Sequence, residues 1–314
     1  MKKLFFSDFN DKDVLREALG FSNNGCVLAL GFFDGVHIAH RELISRAYAE
    51  SLRLGIPLAI FTFSGSSQGF KSNSPRLYSD EERFALFEEC NVDFTLVADF
   101  EDFSQMQGDT FIEDIVINLF NTRVAVCGYN FRFGKGASTG AEALFSYMKN
   151  ASRDCIITEE YKKDGISVST TYIKELISNT RLDEAGELLG VPYFISGTVE
   201  HGKGLGKELG IPTVNTNMDI SRFLPPKGVY ASFVFIEGKR YAALTNIGEC
   251  PTFGKRGIHA ETYILNFSGD LYGSSLRIYL THFLRKEKFF PSSAELIEQI
   301  ENDTKRALAL VLEE

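Results

Sequence analysis

The chain has 314 residues, 44% hydrophobic and 24% charged, with a formal net charge of −9. That length accommodates two domains with separate cores, and the acidic balance argues against non-specific binding to nucleic acid or an anionic membrane. No apolar run approaches the roughly 20 residues needed to span a bilayer, and the five cysteines (Cys26, Cys90, Cys127, Cys155, Cys250) are scattered without metal-ligand spacing, which suits reduced thiols in a cytoplasm.

The opening MKKLFF has the basic-then-apolar look of an export signal, but SDFNDKD follows instead of an apolar core, so no signal is expected. Up to about residue 190, short apolar runs alternate with helical patterns. CVLALG, PLAIFTF, FTLVA, RVAVCG and DCIITEE read as strands. Between them HRELISRAYAESL, SDEERFALFEEC, GDTFIEDIVINLF and TGAEALFSYMKN carry apolar residues at helical spacing. This alternation predicts an α/β domain with a parallel sheet covered on both faces, whose ligands sit beyond the carboxyl ends of the strands.

After residue 190 the rhythm changes. YFISGTVE, GVYASFVFIEG, KRYAALTNIG, HAETYILNF and SLRIYLTHFL are β-rich, and SSAELIEQIENDTKRALALVL closes as a helix. Strands without intervening helices predict an antiparallel sheet or a small closed barrel. The boundary is set near LLGVPYF, giving domains 1–188 and 189–314.

Chemistry concentrates first in GFFDGVHIAH, residues 31–40, at the turn between the first of these strands and its helix. Such a turn exposes unpaired backbone N–H groups in the positive field of the helix N-terminus. His37 and His40, one helical turn apart, can donate to one phosphate chain, and Gly31 and Gly35 let the backbone approach closely. A metal site is a rival reading, but it needs more ligands, and His201, His259 and His282 all lie in the second half. The bland alternative is a structural turn with surface histidines. In the second half HGKGLGKELGIPTVNT, residues 201–216, is glycine-rich and carries Lys203 and Lys207. Alone it is as readily a flexible hairpin, since no helix is expected behind it.

GFFDGVHIAH resembles the nucleotide-binding signature of the nucleotidyltransferase superfamily, whose pattern ends H-x-G-H. CGYNFRFGKGASTG, ISVSTTYIKELI, LLGVPYFISGTV and GIPTVNT follow in the order of the bacterial bifunctional riboflavin kinase/FAD synthetase family, along nearly the whole chain. The resemblance implies a nucleotidyltransferase-like parallel-sheet domain followed by a small antiparallel β-barrel kinase domain with a C-terminal helix. The implied activities are phosphorylation of riboflavin to FMN and adenylylation of FMN to FAD, with ATP as co-substrate and Mg²⁺ as cofactor.

The same resemblance implies roles for residues. In the first domain, His37 and His40 contact ATP phosphates, beside Gly31, Phe33 and Asp34. Asn130 and Arg132 face nucleotide and flavin, and Ser169, Thr170 and Lys174 hold the outgoing phosphates. In the second, Thr213 and Asn215 belong to Mg²⁺–ATP, Gly204 and Lys207 to the phosphate loop, Arg285 to the flavin side, and Glu261 is the base for the ribityl hydroxyl. Partners are then riboflavin, FMN and ATP, with no nucleic acid or membrane and at most weak self-association. Several positions depart from the family pattern: Ala39 in H-x-G-H, Lys174 for Arg, Asn130 for Asp, and TFSGSSQGF for a T-F-D-P-H-P-like stretch. FAD synthesis slower than FMN synthesis is expected from them. Two alternatives are a kinase with a degenerate first domain and a non-catalytic flavin-binding regulator.

Overall fold

The computed structural model describes residues 1–21, 24–64, 75–201, 206, 210–219, 221–252 and 255–312, with the side chains of 250–257 and 312 also outside the description. By contacts the chain divides into two compact units, Met1–Ser169 and Thr170–Glu314.

The first unit is built on six parallel strands: β1 (Lys2–Phe5), β2 (Cys26–Leu30), β3 (Leu58–Phe63), β4 (Phe94–Ala98), β5 (Thr122–Gly128) and β8 (Asp154–Thr158), in the order β1-β4-β3-β2-β5-β8. All five residues of β2 are buried, as an unbroken apolar run in a sheet covered on both faces must be. From β2 the chain builds outward through β3 and β4, then crosses back to lay β5 on the other side of β2. The crevice between the carboxyl ends of β2 and β5 is therefore the topological switch point, where open α/β sheets bind ligands. MKKLFF enters the structure as β1, pairing in parallel with β4 from Lys2↔Phe94 to Phe5↔Val97.

Helices α1 (Lys12–Leu19), α2 (Ile38–Leu54), α3 (Asp80–Glu89) and α6 (Ala141–Asn150) match the helical patterns or add to them, α3 starting with a capping box between Ser79 and Glu82. Short helices α4 (Phe100–Phe103) and α5 (Gly108–Thr110) precede a π-helical segment, Phe111–Leu119. The sequence predicts an ordinary helix there. Burial, however, falls at Phe111 and Ile112, Ile115 and Val116, Leu119 and Phe120. That four-residue repeat favours a wider turn, and Phe120 N–H donates to Ile115 five residues back. Hairpins β6 (Arg132–Phe133) with β7 (Thr139–Gly140), and β9 (Lys162–Lys163) with β10 (Ile166–Ser167), complete the unit.

The second unit holds α7 (Thr170–Ser178), α8 (Leu182–Leu189) and a closed antiparallel barrel, ordered β11-β12-β15-β14-β13-β16. The strands are β11 (Phe194–Glu200), β12 (Thr213–Met218), β13 (Gly228–Ile236), β14 (Lys239–Thr252), β15 (Lys255–Ile264) and β16 (Ser275–Arg285). Alternation separates their two faces. Val234, Ile247, Ala260 and Leu280 fill the interior, where the Ser232, Thr245 and Thr262 hydroxyls link at 2.8 and 3.0 Å. On the outer face Val229, Ala231, Phe233 and Leu244 pack with Ala307 and Val311 of α9 (Ser293–Leu312). Helix α8 packs on β16 and ends at Gly190, whose φ of 76° suits a glycine C-cap.

Candidate active sites

In the first unit the two sequence motifs leave adjacent strands at the same end, since Leu30 pairs with Cys127. The turn after β2 is strained: Phe33 and Val36 adopt φ of 49° and 42°, a conformation rarely held by such side chains except where surrounding structure enforces it. The Phe33 ring folds back over Gly31, where a Cβ would stand 2.8 Å from it, so only glycine fits. That ring is buried and meets His40 edge-on at 5.3 Å, leaving the backbone as Phe33's route to a ligand. Asp34 is also buried and accepts the Leu77 N–H at 2.8 Å.

His37 is the N-cap of α2, and its ring stacks on His40 at 3.6 Å and 15°. Neither Nδ1 has a hydrogen-bond partner among the described residues, although both are buried. Burial pushes His37 down to about 4. Burial, then the neighbouring His37 and Arg83, holds His40 well below the ordinary imidazole range. Near pH 7 both rings are thus neutral. They can offer N–H donors to a phosphate without carrying charge of their own.

Behind this turn lies a residue that sequence reasoning missed. Arg83 is fully buried, and its guanidinium donates to the carbonyls of Phe32 and Phe63, to Thr62 Oγ1 and to Asp80, at 2.6–3.1 Å. It ties the carboxyl ends of β2 and β3 together, and Arg76 stacks 3.7 Å from the Phe32 ring beside it. The signal was weak, because DEERF reads as a surface helix turn.

Asn130 and Arg132 are exposed beyond the end of β5, with Asn130 Oδ1 folded back over Gly128. Ser169 is the last residue of the first unit, while Thr170 and Lys174 belong to α7 of the second. The Lys174 ammonium lies 5.9 Å from the centre of the Phe223 ring. Of TFSGSSQGF, residues 65–70 lie outside the described residues.

In the second unit the expected residues converge. Asn215 on β12 lies opposite Glu261 on β15, which in turn lies opposite Asn246 on β14. Thr213 lies opposite Tyr263 in the adjoining row. By alternation all five share the outer face of the barrel. There a cavity of about 410 Å³ opens between the wall and α9, lined by Thr213, Asn246, Glu261, Tyr263, Arg285 and Asp303 among others. Gly206 lines it too: a Cβ there would stand 2.4 Å from the Ile211 carbonyl and 3.4 Å from Thr213 Oγ1. Lys203, Gly204 and Lys207 lie outside the described residues. Arg285 reaches the cavity with one edge held, its Nε donating to buried Asp303 at 2.7 Å. Asp303 and Asn246 were not singled out from sequence, since each depends on a pairing between separate elements.

A parallel sheet with a stacked, buried imidazole pair at its switch point, and a barrel with hydroxyl, amide and carboxylate groups in one cavity, define a two-unit nucleotide-dependent transferase. Family models agree: the FAD synthetase model matches residues 21–172 and the riboflavin kinase model residues 189–311. Bifunctional riboflavin kinase/FMN adenylyltransferases of Bacillus subtilis and Haemophilus influenzae are 30% and 32% identical, over 90% and 91% of this chain and 91% and 94% of theirs. The chain belongs to the bifunctional riboflavin kinase/FMN adenylyltransferase family. Membership favours the two-activity reading over a kinase-only enzyme or a non-catalytic regulator. A solved structure named macrolide-efflux protein, from Streptococcus pneumoniae, is 25% identical with a TM-score of 0.82, covering 97% of this chain and 98% of that one. Among the described residues no helix is long and apolar enough to cross a membrane.

Proposed function

We propose that the outer-face cavity of the barrel phosphorylates riboflavin and that the switch-point crevice of the first unit adenylylates FMN. The kinase assignment is carried by one observation: Thr213, Asn215 and Glu261 lie on one face, with Asn215 and Glu261 paired across neighbouring strands. Glu261 takes the proton of the ribityl 5′-hydroxyl as its oxygen attacks the γ-phosphorus of ATP. The bond to the β–γ bridging oxygen breaks, and ADP leaves.

The Thr213 hydroxyl and Asn215 amide offer hard oxygens suited to Mg²⁺, which keeps water and substrate phosphate in its shell. When bound, the ion neutralises phosphate charge. Gly206 allows the backbone to close on Thr213, and Gly204 and Lys207 complete the phosphate loop in this reading. Arg285, oriented by Asp303, faces the flavin.

In the first domain, taken as residues 1–188 in this reading, an oxygen of the FMN phosphate attacks the α-phosphorus of ATP and pyrophosphate leaves. FMN is already a competent nucleophile, so the protein positions and stabilises charge. His37 and His40 hold the phosphates, with Gly31, Phe33 and Asp34 shaping the turn. Asn130 and Arg132 address nucleotide and flavin, and Ser169, Thr170 and Lys174 receive the outgoing pyrophosphate. We place the functional boundary at 188/189, the enzyme in the cytoplasm and weak self-association within the reading. The free thiols of Cys26, Cys90, Cys127 and Cys155 suit a reducing compartment. The reading includes no nucleic-acid or membrane partner.

The test is product identity after incubation with MgATP and either riboflavin or FMN as the only flavin. FMN from the first and FAD from the second are expected, with FAD forming more slowly. FMN without FAD would remove the adenylyltransferase half, and no product from riboflavin would remove the kinase half.

A further inference from the structure

Asn246 faces the kinase cavity from β14, directly opposite Glu261. Cross-strand partners on one face hold their Cβ atoms about 5 Å apart, so the two side chains can serve the same small group. The orientation of the amide follows from its neighbour. Asn246 Nδ2 donates to Glu287 Oε1 at 3.3 Å, and an ionised carboxylate only accepts, so the NH₂ end must face it. Glu287 reaches this position over Gly248, where a Cβ would lie 2.1 Å from Oε1. The amide oxygen is thereby turned away from Glu287. It is buried, and it has no hydrogen-bond partner among the described residues.

A buried acceptor left open is unfavourable unless a ligand supplies a donor. The polyphosphate of ATP carries acceptors at this pH and cannot do so. A sugar alcohol can, because each of its hydroxyls is a donor. We propose that Asn246 binds the flavin substrate in the kinase reaction, its Oδ1 accepting a hydrogen bond from a ribityl hydroxyl beside the one that Glu261 deprotonates. Glu287 is the positioning residue that fixes the amide. The proposal rests on the kinase reading above and adds to it the group that recognises the polyol chain.

Lumiflavin separates the chain from the ring, since it keeps the isoalloxazine with its N–H but has a methyl group in place of the ribityl chain. In the full-length protein, Asn246→Ala should weaken riboflavin binding about 10- to 100-fold, the range for leaving a hydrogen-bonding group unpaired. Lumiflavin and MgATP binding should stay within about twofold of wild type. Glu287→Ala, at an exposed position, should give a smaller loss with the same selectivity for riboflavin. Equal losses for riboflavin and lumiflavin, or no loss for riboflavin in either variant, would overturn the proposal. Absence of FMN formation by the wild-type protein would instead overturn the kinase reading, so the two failures are distinguishable.

Discussion

Lowering the pH from 7 to about 4 should weaken the first unit specifically through His37. The residue is only 4% exposed, its ring is stacked on His40, and burial pulls it from 6.5 to about 4. Below 6.5 the unfolded chain takes up a proton on this residue, while the folded chain refuses it until near 4. Stability therefore falls as pH drops through that window, and the contribution disappears above it. At about 1.4 kcal/mol for each tenfold change, the interval corresponds to about 3 kcal/mol. His40, also depressed and in contact with the same ring, acts in the same direction. The assay has two parts: an NMR titration of the imidazole Cε1–H signals, with His37 assigned by its loss in His37→Asn, and urea unfolding of both proteins from pH 7 to 4. A His37 midpoint near 4 and a smaller acid loss in the variant are expected. A midpoint at 6.5 or above, or identical acid losses, would refute the assignment of both rings as buried and neutral.

Three further outcomes follow from the site geometry. Glu261→Gln should lower FMN formation by about 10²–10⁴-fold, the range for a lost general base, while calorimetry shows MgATP binding retained and FAD still forms from added FMN. Thr213→Ala should weaken magnesium-dependent nucleotide binding in the second unit, read as a lower affinity for an ATP analogue, with FAD formation from FMN unaffected. Arg83→Met removes the donor to Phe32, Phe63, Thr62 and Asp80, and taking that donor from buried acceptors costs about 1–3 kcal/mol. Scanning calorimetry should show a lowered first-unit transition with the kinase unit unchanged.

Much of the architecture was legible because parallel core strands are unbroken apolar runs. CVLAL, LAIFTF and FTLVA could be nothing else at that length between helical patterns, and their burial bears this out. Strand β1 was not legible for the converse reason. It pairs on one side only, Lys2, Lys3 and Phe5 are exposed with Leu4 half-buried, and the two lysines mask it. The histidine pair could be located from the strand-to-helix turn, but its charge state could not, since that depends on Phe33, Arg83 and the stacked rings closing over it. In the barrel, alternation alone placed Glu261 and Tyr263 on one face. The step from that face to a site needs register. Asn246 meets Glu261 only because the β14–β15 ladder pairs those two positions, and a slip of one residue would have turned Asn246 into the interior and Thr245 and Ile247 out of it. Arg285 and Asp303 likewise meet only once α9 folds back on the wall. The chemistry of each residue is thus local to the sequence, while the selection of which groups act together belongs to strand register and helix docking.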